Sequence, residues 1–277
     1  MIDLLAARDF ASGVARDAGA ILMQFYNQPH RETVKGIVTD IVTEADPAAE
    51  ALILSRLRAA YPDHHIITEE SGSVGAAAEQ AEYVWHIDPL DGTVNFANNI
   101  PYFCVSIALA GRDGRPLVGV VYNPVADELY AAVRGGGATL NGVPMRVTAV
   151  EDLQRAILCT GFPYDSAVNP DNNLREWWAF MQVTRGLRRF GSAALDLCYV
   201  AAGRFDGFWE GRIHSWDCQA GLLCVQEAGG RISDYDGQDS LLAYSGEAMV
   251  ASNGLIHDAI VQVLRETARL PLPVLPV

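Results

Sequence analysis

Two acids three residues apart across a turn, Asp88 and Asp91 in Asp88-Pro89-Leu90-Asp91-Gly92-Thr93, have the types and spacing to do chemistry. An apolar run from Tyr83 to Ile87 delivers Asp88 to its end, Pro89-Leu90 turns the chain, and Asp91 returns to the same point. Carboxylates so placed can bridge hard divalent cations, and the Leu90 carbonyl can add another oxygen. If Gly92-Thr93 begins a helix, its free N–H groups would receive a phosphate oxygen. Asp, Pro and Gly are also ordinary turn residues, so the segment alone leaves a plain turn open.

Other acids stand where such a site would need them. Glu69-Glu70 closes an apolar strand, and Asp217 opens a helix just after Ile213-His214-Ser215-Trp216. Asp46 reads as a helix N-cap with Pro47 at the first helical position, which by itself requires only a cap. Together these carboxylates supply what a multi-metal hydrolytic site requires. The chain carries 20 basic and 34 acidic residues, a net charge of -14. That balance argues against a nucleic-acid partner. An anionic substrate would need the local field reversed, which bound divalent cations can do.

The elements that must position these residues follow from periodicity. The 277 residues fit one large or two compact domains. Apolar spacing predicts a helix from Leu4 to Phe25 and a second from the Asp46 region to about Ala60. Strands are expected over His65–Thr68, Tyr83–Ile87, Phe103–Ala110, Leu117–Tyr122 and Glu128–Val133, the last three antiparallel because their turns are short. Asn141-Gly142 marks a further hairpin. After about Val150 strands alternate with helices: strands at Ala156–Thr160, Gly207–Glu210, Arg231–Ser233 and Ala248–Ala251, helices at Asn173–Val183, Ala193–Ala202, Asp217–Ala228 and Leu255–Ala268. The expected division is therefore 1–150, with a helix pair, an antiparallel sheet and most of the acids, and 151–277, an α/β half carrying Asp217. Three prolines exclude a helix from Leu270 to Val277.

The Asp88–Thr93 segment, paired with Trp216-Asp217-Cys218-Gln219-Ala220-Gly221, resembles the double signature of the inositol monophosphatase family. Asp40–Asp46, Ile67–Ser71, Gly191-Ser192-Ala193-Ala194 and Glu227-Ala228-Gly229-Gly230 extend the resemblance over essentially the whole chain. It implies an α+β fold, a layered αβαβα sandwich of the inositol monophosphatase and fructose-1,6-bisphosphatase type. It also implies two to three Mg²⁺ per site. Glu69, Asp88 and the Leu90 carbonyl would hold one ion, Asp88, Asp91 and Asp217 a second, and Glu69 with waters a weaker third. Asp46 and Thr93 would orient and deprotonate the attacking water, with Glu69 in the same catalytic group. Gly92 and Thr93 would cradle phosphate, while Asp91, Ala193, Glu210 and Asp217 would touch polyol hydroxyls. Lys35 matches a basic position in a mobile loop of the family, and a solvated lysine is the plain alternative.

The expected reaction is hydrolysis of myo-inositol monophosphate. A broader sugar phosphatase, including fructose 1,6-bisphosphate, is the near alternative. A regulatory binding protein with a vestigial site is the distant one. The resemblance further implies lithium sensitivity and a homodimer. Gly135-Gly136-Gly137 lacks the Lys-Ser/Thr of a phosphate loop and reads as a turn. Trp177-Trp178 reads as core or interface, and His64-His65 and His214 lack partners at ligand spacing. Five cysteines without CxxC spacing point to free thiols and a reducing, cytoplasmic setting. Neither a signal peptide nor a membrane span is expected.

Overall fold

The computed structural model describes residues 2–30 and 32–267. Its helices are α1 (Leu4–Phe25), α2 (Ala45–Ala60), α3 (Thr93–Ala97), α4 (Leu174–Val183), α5 (Ala193–Ala201), α6 (Ser215–Glu227), α7 (Leu241–Ser245) and α8 (His257–Thr267). Its strands are β1 (Thr33–Val34), β2 (Ile41–Val42), β3 (His65–Thr68), β4 (Gly72–Gly75), β5 (Tyr83–Asp91), β6 (Cys104–Gly111), β7 (Pro116–Asn123), β8 (Glu128–Val133), β9 (Gly137–Leu140), β10 (Val143–Pro144), β11 (Ile157–Thr160), β12 (Gly186–Arg188), β13 (Gly207–Gly211), β14 (Arg231–Ser233) and β15 (Ala248–Ser252). The segment Leu270 to Val277 lies outside the described residues.

An eight-stranded sheet runs β10-β9-β8-β7-β6-β5-β3-β4, and a five-stranded sheet runs β12-β11-β13-β15-β14. In the larger sheet the β3–β5 pair is parallel and its other pairs are antiparallel. β11 lies parallel to both β12 and β13 in the smaller one. Three apolar cores stack these sheets between helices. α1 and α2 cover one face of the larger sheet through Leu22, Ile53, Trp85 and Val105. α5 and α6 fill the space between the sheets, with Leu195 and Leu223 against Tyr130 on one side and Met249 on the other. α4 and α8 cover the outer face of the smaller sheet through Phe180, Trp209 and Ile260. The result is the expected αβαβα sandwich, and its middle core joins residues from both sides of residue 150.

The chemistry of the elements explains their limits. Asp3 caps α1 by accepting the Leu5 and Ala6 N–H groups at 3.0 and 3.1 Å. The helix then buries Ala7, Ala11, Val14, Ala18 and Leu22 on one stripe. Gly119 of β7 takes the backbone of α6 so closely that a Cβ there would stand 2.5 Å from the Ala220 carbonyl oxygen. Gly221 on α6 likewise leaves no room beside Leu197, whose Cβ would be 2.6 Å away. These two glycines let the middle helices sit tightly enough to bring α6 to the end of β5. No helix among the described residues is long and apolar enough to cross a membrane.

Candidate active site

β5 does not stop at Asp88, as the Pro-containing turn suggests. It continues to Asp91 beside β6, with Asp88 opposite Ser106, Asp91 opposite Cys104, and an irregularity between them. Residues three apart on a flat strand face opposite sides; the irregularity turns both acids into one pocket. Asp88 Oδ1 accepts the Leu90 N–H at 2.9 Å, which fixes the bend. Gly92 then adopts φ +96°, and any Cβ there would stand 3.0 Å from the Tyr102 carbonyl. α3 begins at Thr93, as the segment suggested.

The remaining acids are held by named donors. Asp91 Oδ2 accepts Ser192 Oγ–H at 2.7 Å and the Ala194 N–H at 2.8 Å, at the start of α5. Asp217 is not the first residue of its helix. α6 opens at Ser215, and Asp217, one turn in, accepts the His214 N–H at 2.7 Å in a capping box. Below it, buried His86 bonds the Ser215 hydroxyl at 2.8 Å, tying β5 to the start of α6.

Asp46 also departs from expectation. α2 opens at Ala45, so Asp46 is its second residue, Pro47 is its third, and Asp46 is not the N-cap. Thr43 performs the capping, because its hydroxyl accepts the Ala45 N–H at 3.2 Å while Asp46 Oδ2 reaches back to the Thr43 N–H at 2.9 Å. That frees Asp46 Oδ1 to accept the Thr93 hydroxyl at 3.1 Å, and the same hydroxyl lies 3.0 Å from the Leu90 carbonyl. The expected Asp46–Thr93 pair is thus in contact.

Glu69 and Glu70 follow β3, and Lys35 donates to both, at 2.9 Å to Glu69 Oε1. Burial works against the Lys35 ammonium, but the two carboxylates outweigh it and hold its pKa above the usual lysine range. Lys35 is the only lysine in the chain, against nineteen arginines. Buried Glu50 of α2 was not singled out from the sequence. It accepts the Thr68 hydroxyl at 2.5 Å, the Glu70 N–H at 3.0 Å and the Ser71 hydroxyl. It therefore fixes the segment that carries Glu69.

Like charge dominates the cavity. Burial, then Glu69, Asp91 and Asp217, raise the Asp88 pKa well above the ordinary carboxylate range. Burial, then Asp91 and Glu69, do the same to Asp217. Asp91 and Asp46 are each pushed up to about 6, chiefly by burial, against the pull of their hydrogen bonds.

The pocket lined by Glu69, Asp88, Asp91 and Asp217 encloses about 780 Å³ including its open mouth. Ala193, the first residue of α5, lies on its wall, and Glu210 of β13 lies deeper. Burial, then Asp196, Asp217 and Asp91, push the Glu210 carboxyl well above its usual range. Asp196, another residue not anticipated, is buried beside the pocket. It accepts the Tyr102 hydroxyl at 2.7 Å, and its pKa is pushed up to about 7 by burial. An inward acid on an apolar helix carries no sequence signal of its own. Of the residues set aside from the sequence, His214 lines this pocket, while His64 and the glycine turn are engaged elsewhere. His64 accepts the Trp85 indole N–H at 3.0 Å, and the Gly135 and Gly137 N–H groups, at the two ends of their turn, bond the Glu227 carboxylate at 2.8 Å each. His214 stacks on Trp216. All five cysteines are free and buried.

Among the described residues, no three His, Cys, Asp or Glu side chains stand ready-made around one metal position. The Lys35 ammonium instead engages Glu69 and Glu70. The donor chemistry nevertheless fits a hard divalent cation, since Glu69, Asp88, Asp91, Asp217 and the Leu90 carbonyl offer oxygen alone. Their mutual repulsion is what a cation would relieve.

A family model described as "Inositol monophosphatase family" matches residues 3–269. The chain is 44% identical over 265 residues to a Synechocystis protein named inositol-1-monophosphatase, covering 96% of this chain and 91% of that one. It is 41% identical over 259 residues to an Escherichia coli protein named Nus factor SuhB, covering 93% and 95%. A solved structure of inositol monophosphatase from Anabaena (Nostoc) aligns with TM-score 0.86 and 41% identity, covering 98% and 99% of the two chains.

Glu50→Ala tests the scaffold of the site. It leaves two hydroxyls and one N–H without their acceptor, so a loss of about 3 kcal/mol in urea unfolding is expected. Unchanged stability would show that Glu50 does not hold the Glu69 segment.

Proposed function

Because the chain belongs to the inositol monophosphatase family, we propose that it is a Mg²⁺-dependent phosphatase whose substrate is myo-inositol monophosphate or a closely similar polyol phosphate. The observation that carries this reading is the convergence of Asp88, Asp91, Asp217 and Glu69 on one pocket whose wall includes Thr93, itself hydrogen-bonded to buried Asp46. The names of the relatives divide between an enzyme and a Nus factor. The carboxylate set favours catalysis here, since a binding protein has no need to bury mutually repelling acids around a cavity.

Glu69, Asp88 and the Leu90 carbonyl would hold one cation, and Asp88, Asp91 and Asp217 a second, with Glu69 available to a weaker third. When bound, the ions would neutralise the phosphate and acidify a water. The chain's own residues do the rest. Thr93, held between Asp46 and the Leu90 carbonyl, orients the attacking water, and the Asp46 carboxylate takes its proton through the threonine hydroxyl. A carboxyl pKa of about 6 suits Asp46 to that exchange near neutral pH. Gly92 and Thr93 line the pocket where backbone N–H groups can meet phosphate oxygens. Glu210 and Ala193 face the alcohol, and buried Glu210 discriminates polyols by accepting their hydroxyls.

Phosphate release from a panel of phosphomonoesters, with and without Mg²⁺, tests the activity. Turnover that needs Mg²⁺ and is greatest on polyol phosphates is expected; no turnover of any substrate in saturating Mg²⁺ rules the enzyme out. Asp88→Asn should cut turnover at least about a hundredfold while circular dichroism stays unchanged, since it removes a ligand shared by two cations. Glu210→Ala should impair myo-inositol 1-phosphate more than p-nitrophenyl phosphate. Equal losses on the two would mean that Glu210 does not read hydroxyls.

The raised carboxyl pKa values also predict how the cation stabilises the fold. Asp46, Asp91 and Glu70 are pushed up to about 6, chiefly by burial, from about 4 in an unfolded chain. The folded state binds more protons than the unfolded between about pH 4 and 6. The contribution of these acids to stability therefore falls as pH rises through that window and stays lost above it. Mg²⁺ binds the ionised form, so the rise in Tm it produces should be larger at pH 8 than at pH 5. Equal rises at both would place the cation away from these acids.

A further inference from the structure

Strand register puts one glycine beside the residue that faces the alcohol. β11 pairs in parallel with β13 through Leu158↔Gly207, Cys159↔Phe208 and Thr160↔Trp209, which brings Gly161, next in the chain, alongside Glu210. Neighbours in a parallel pair project from the same face of the sheet. A side chain at 161 would thus project into the space that the Glu210 side chain uses.

That space is already filled. A Cβ built on Gly161 would overlap the Glu210 carboxyl. Even its farthest atom, Oε2, would stand only 2.6 Å away, well inside contact distance. The φ of Gly161 is not in the left-handed region, so its backbone does not itself demand glycine. The Gly161 carbonyl is fixed from the other side by the Asn173 side-chain amide at 2.6 Å, and Asn173 also receives the Trp209 indole N–H at 2.7 Å. The floor on which the carboxyl rests is therefore rigid. Glu210 is 7% exposed, lines the pocket and has no hydrogen-bond partner among the described residues.

We infer that Gly161 is a specificity-determining positioning residue: its missing side chain is the seat of the Glu210 carboxyl, and sets where that carboxyl meets a substrate hydroxyl. The inference rests on the polyol reading proposed above. The overlapping atoms are the far end of a flexible side chain and not backbone, so a methyl group at 161 moves the carboxyl and leaves the strand in place. The acid remains but stands elsewhere. Loss of discrimination then comes from position, not from chemistry.

The test uses the full chain with Mg²⁺, myo-inositol 1-phosphate and p-nitrophenyl phosphate. Gly161→Ala should lower the ratio of kcat/KM for the inositol ester to that for the aryl ester about tenfold, mainly through KM, the effect of one misplaced hydrogen bond. Glu210→Asp alone should lower the same ratio by drawing the carboxyl back. Glu210→Asp placed on Gly161→Ala should instead raise it above the Gly161→Ala value, because the shorter acid clears the methyl group. An unchanged ratio in Gly161→Ala, or no rescue by the shorter acid, overturns the inference. Should Gly161→Ala fail to fold, recovery of folding in the double variant, read by circular dichroism, supports the same overlap; failure of both variants to fold overturns it. Glu210→Ala separates the two levels. If it lowers the ratio and Gly161→Ala does not, only this inference falls; if it does not, the polyol reading falls as well.

Discussion

The structure depends on keeping several like-charged carboxyl groups buried around one cavity. Asp88, Asp91, Asp217 and Glu210 line it, and buried Asp46 bonds Thr93 of its wall, in a chain whose net charge is already -14. Each would lower its energy by turning to water, because burying an ionised acid without a partner costs far more than any one contact returns. All but Glu210 are kept in place by rigid donors. Asp91 is tied to the start of α5, Asp217 to the cap of α6, Asp46 to Thr43, and the Glu69 segment to Glu50. Four separate parts of the scaffold therefore have to meet at one point.

That requirement accounts for the layering. α5 and α6 supply N-terminal ends to the cavity, so they must lie between the two sheets with those ends beside β5. The close approach at Gly119 and Gly221 makes this possible, since bulkier residues there would lift α6 and carry Asp217 away. The bulge in β5 does the same on a smaller scale. A regular strand would face Asp88 and Asp91 to opposite layers. The fold is thus an arrangement for bringing helix starts to an interrupted strand.

Much of this was legible in the sequence where the signal is local. α1 and β8 match their expected spans because an amphipathic stripe of six turns and an alternating run between tight turns each contain their own evidence. Short strands such as β4 and β12 were missed: β4 is mostly exposed and bounded by glycines, and β12 acquires its identity from β11, far away in the chain. The shift in the α2 start has a similar origin. Asp46 followed by Pro47 carries the usual signs of a cap, but Thr43 takes that role and turns Asp46 inward to Thr93. Glu50 and Asp196 had no signal, because a buried acid on a helix reads as a solvated one until its neighbours are known.

Asp196 and Glu210 show where local stability gives way to the site. Both are buried, both carry raised carboxyl pKa values, and burial is the first cause in each case. Tyr102 satisfies Asp196, whereas Glu210 has no hydrogen-bond donor among the described residues. Apolar side chains of similar volume would pack the same space without the desolvation cost. A carboxyl that lines the pocket without a protein donor is thus better explained by a role in the pocket than by the fold. The bare Cα of Gly161 strengthens that argument, because it accommodates the carboxyl without offering it a donor. The seat preserves the position of the acid and leaves its hydrogen-bonding capacity for whatever enters the pocket.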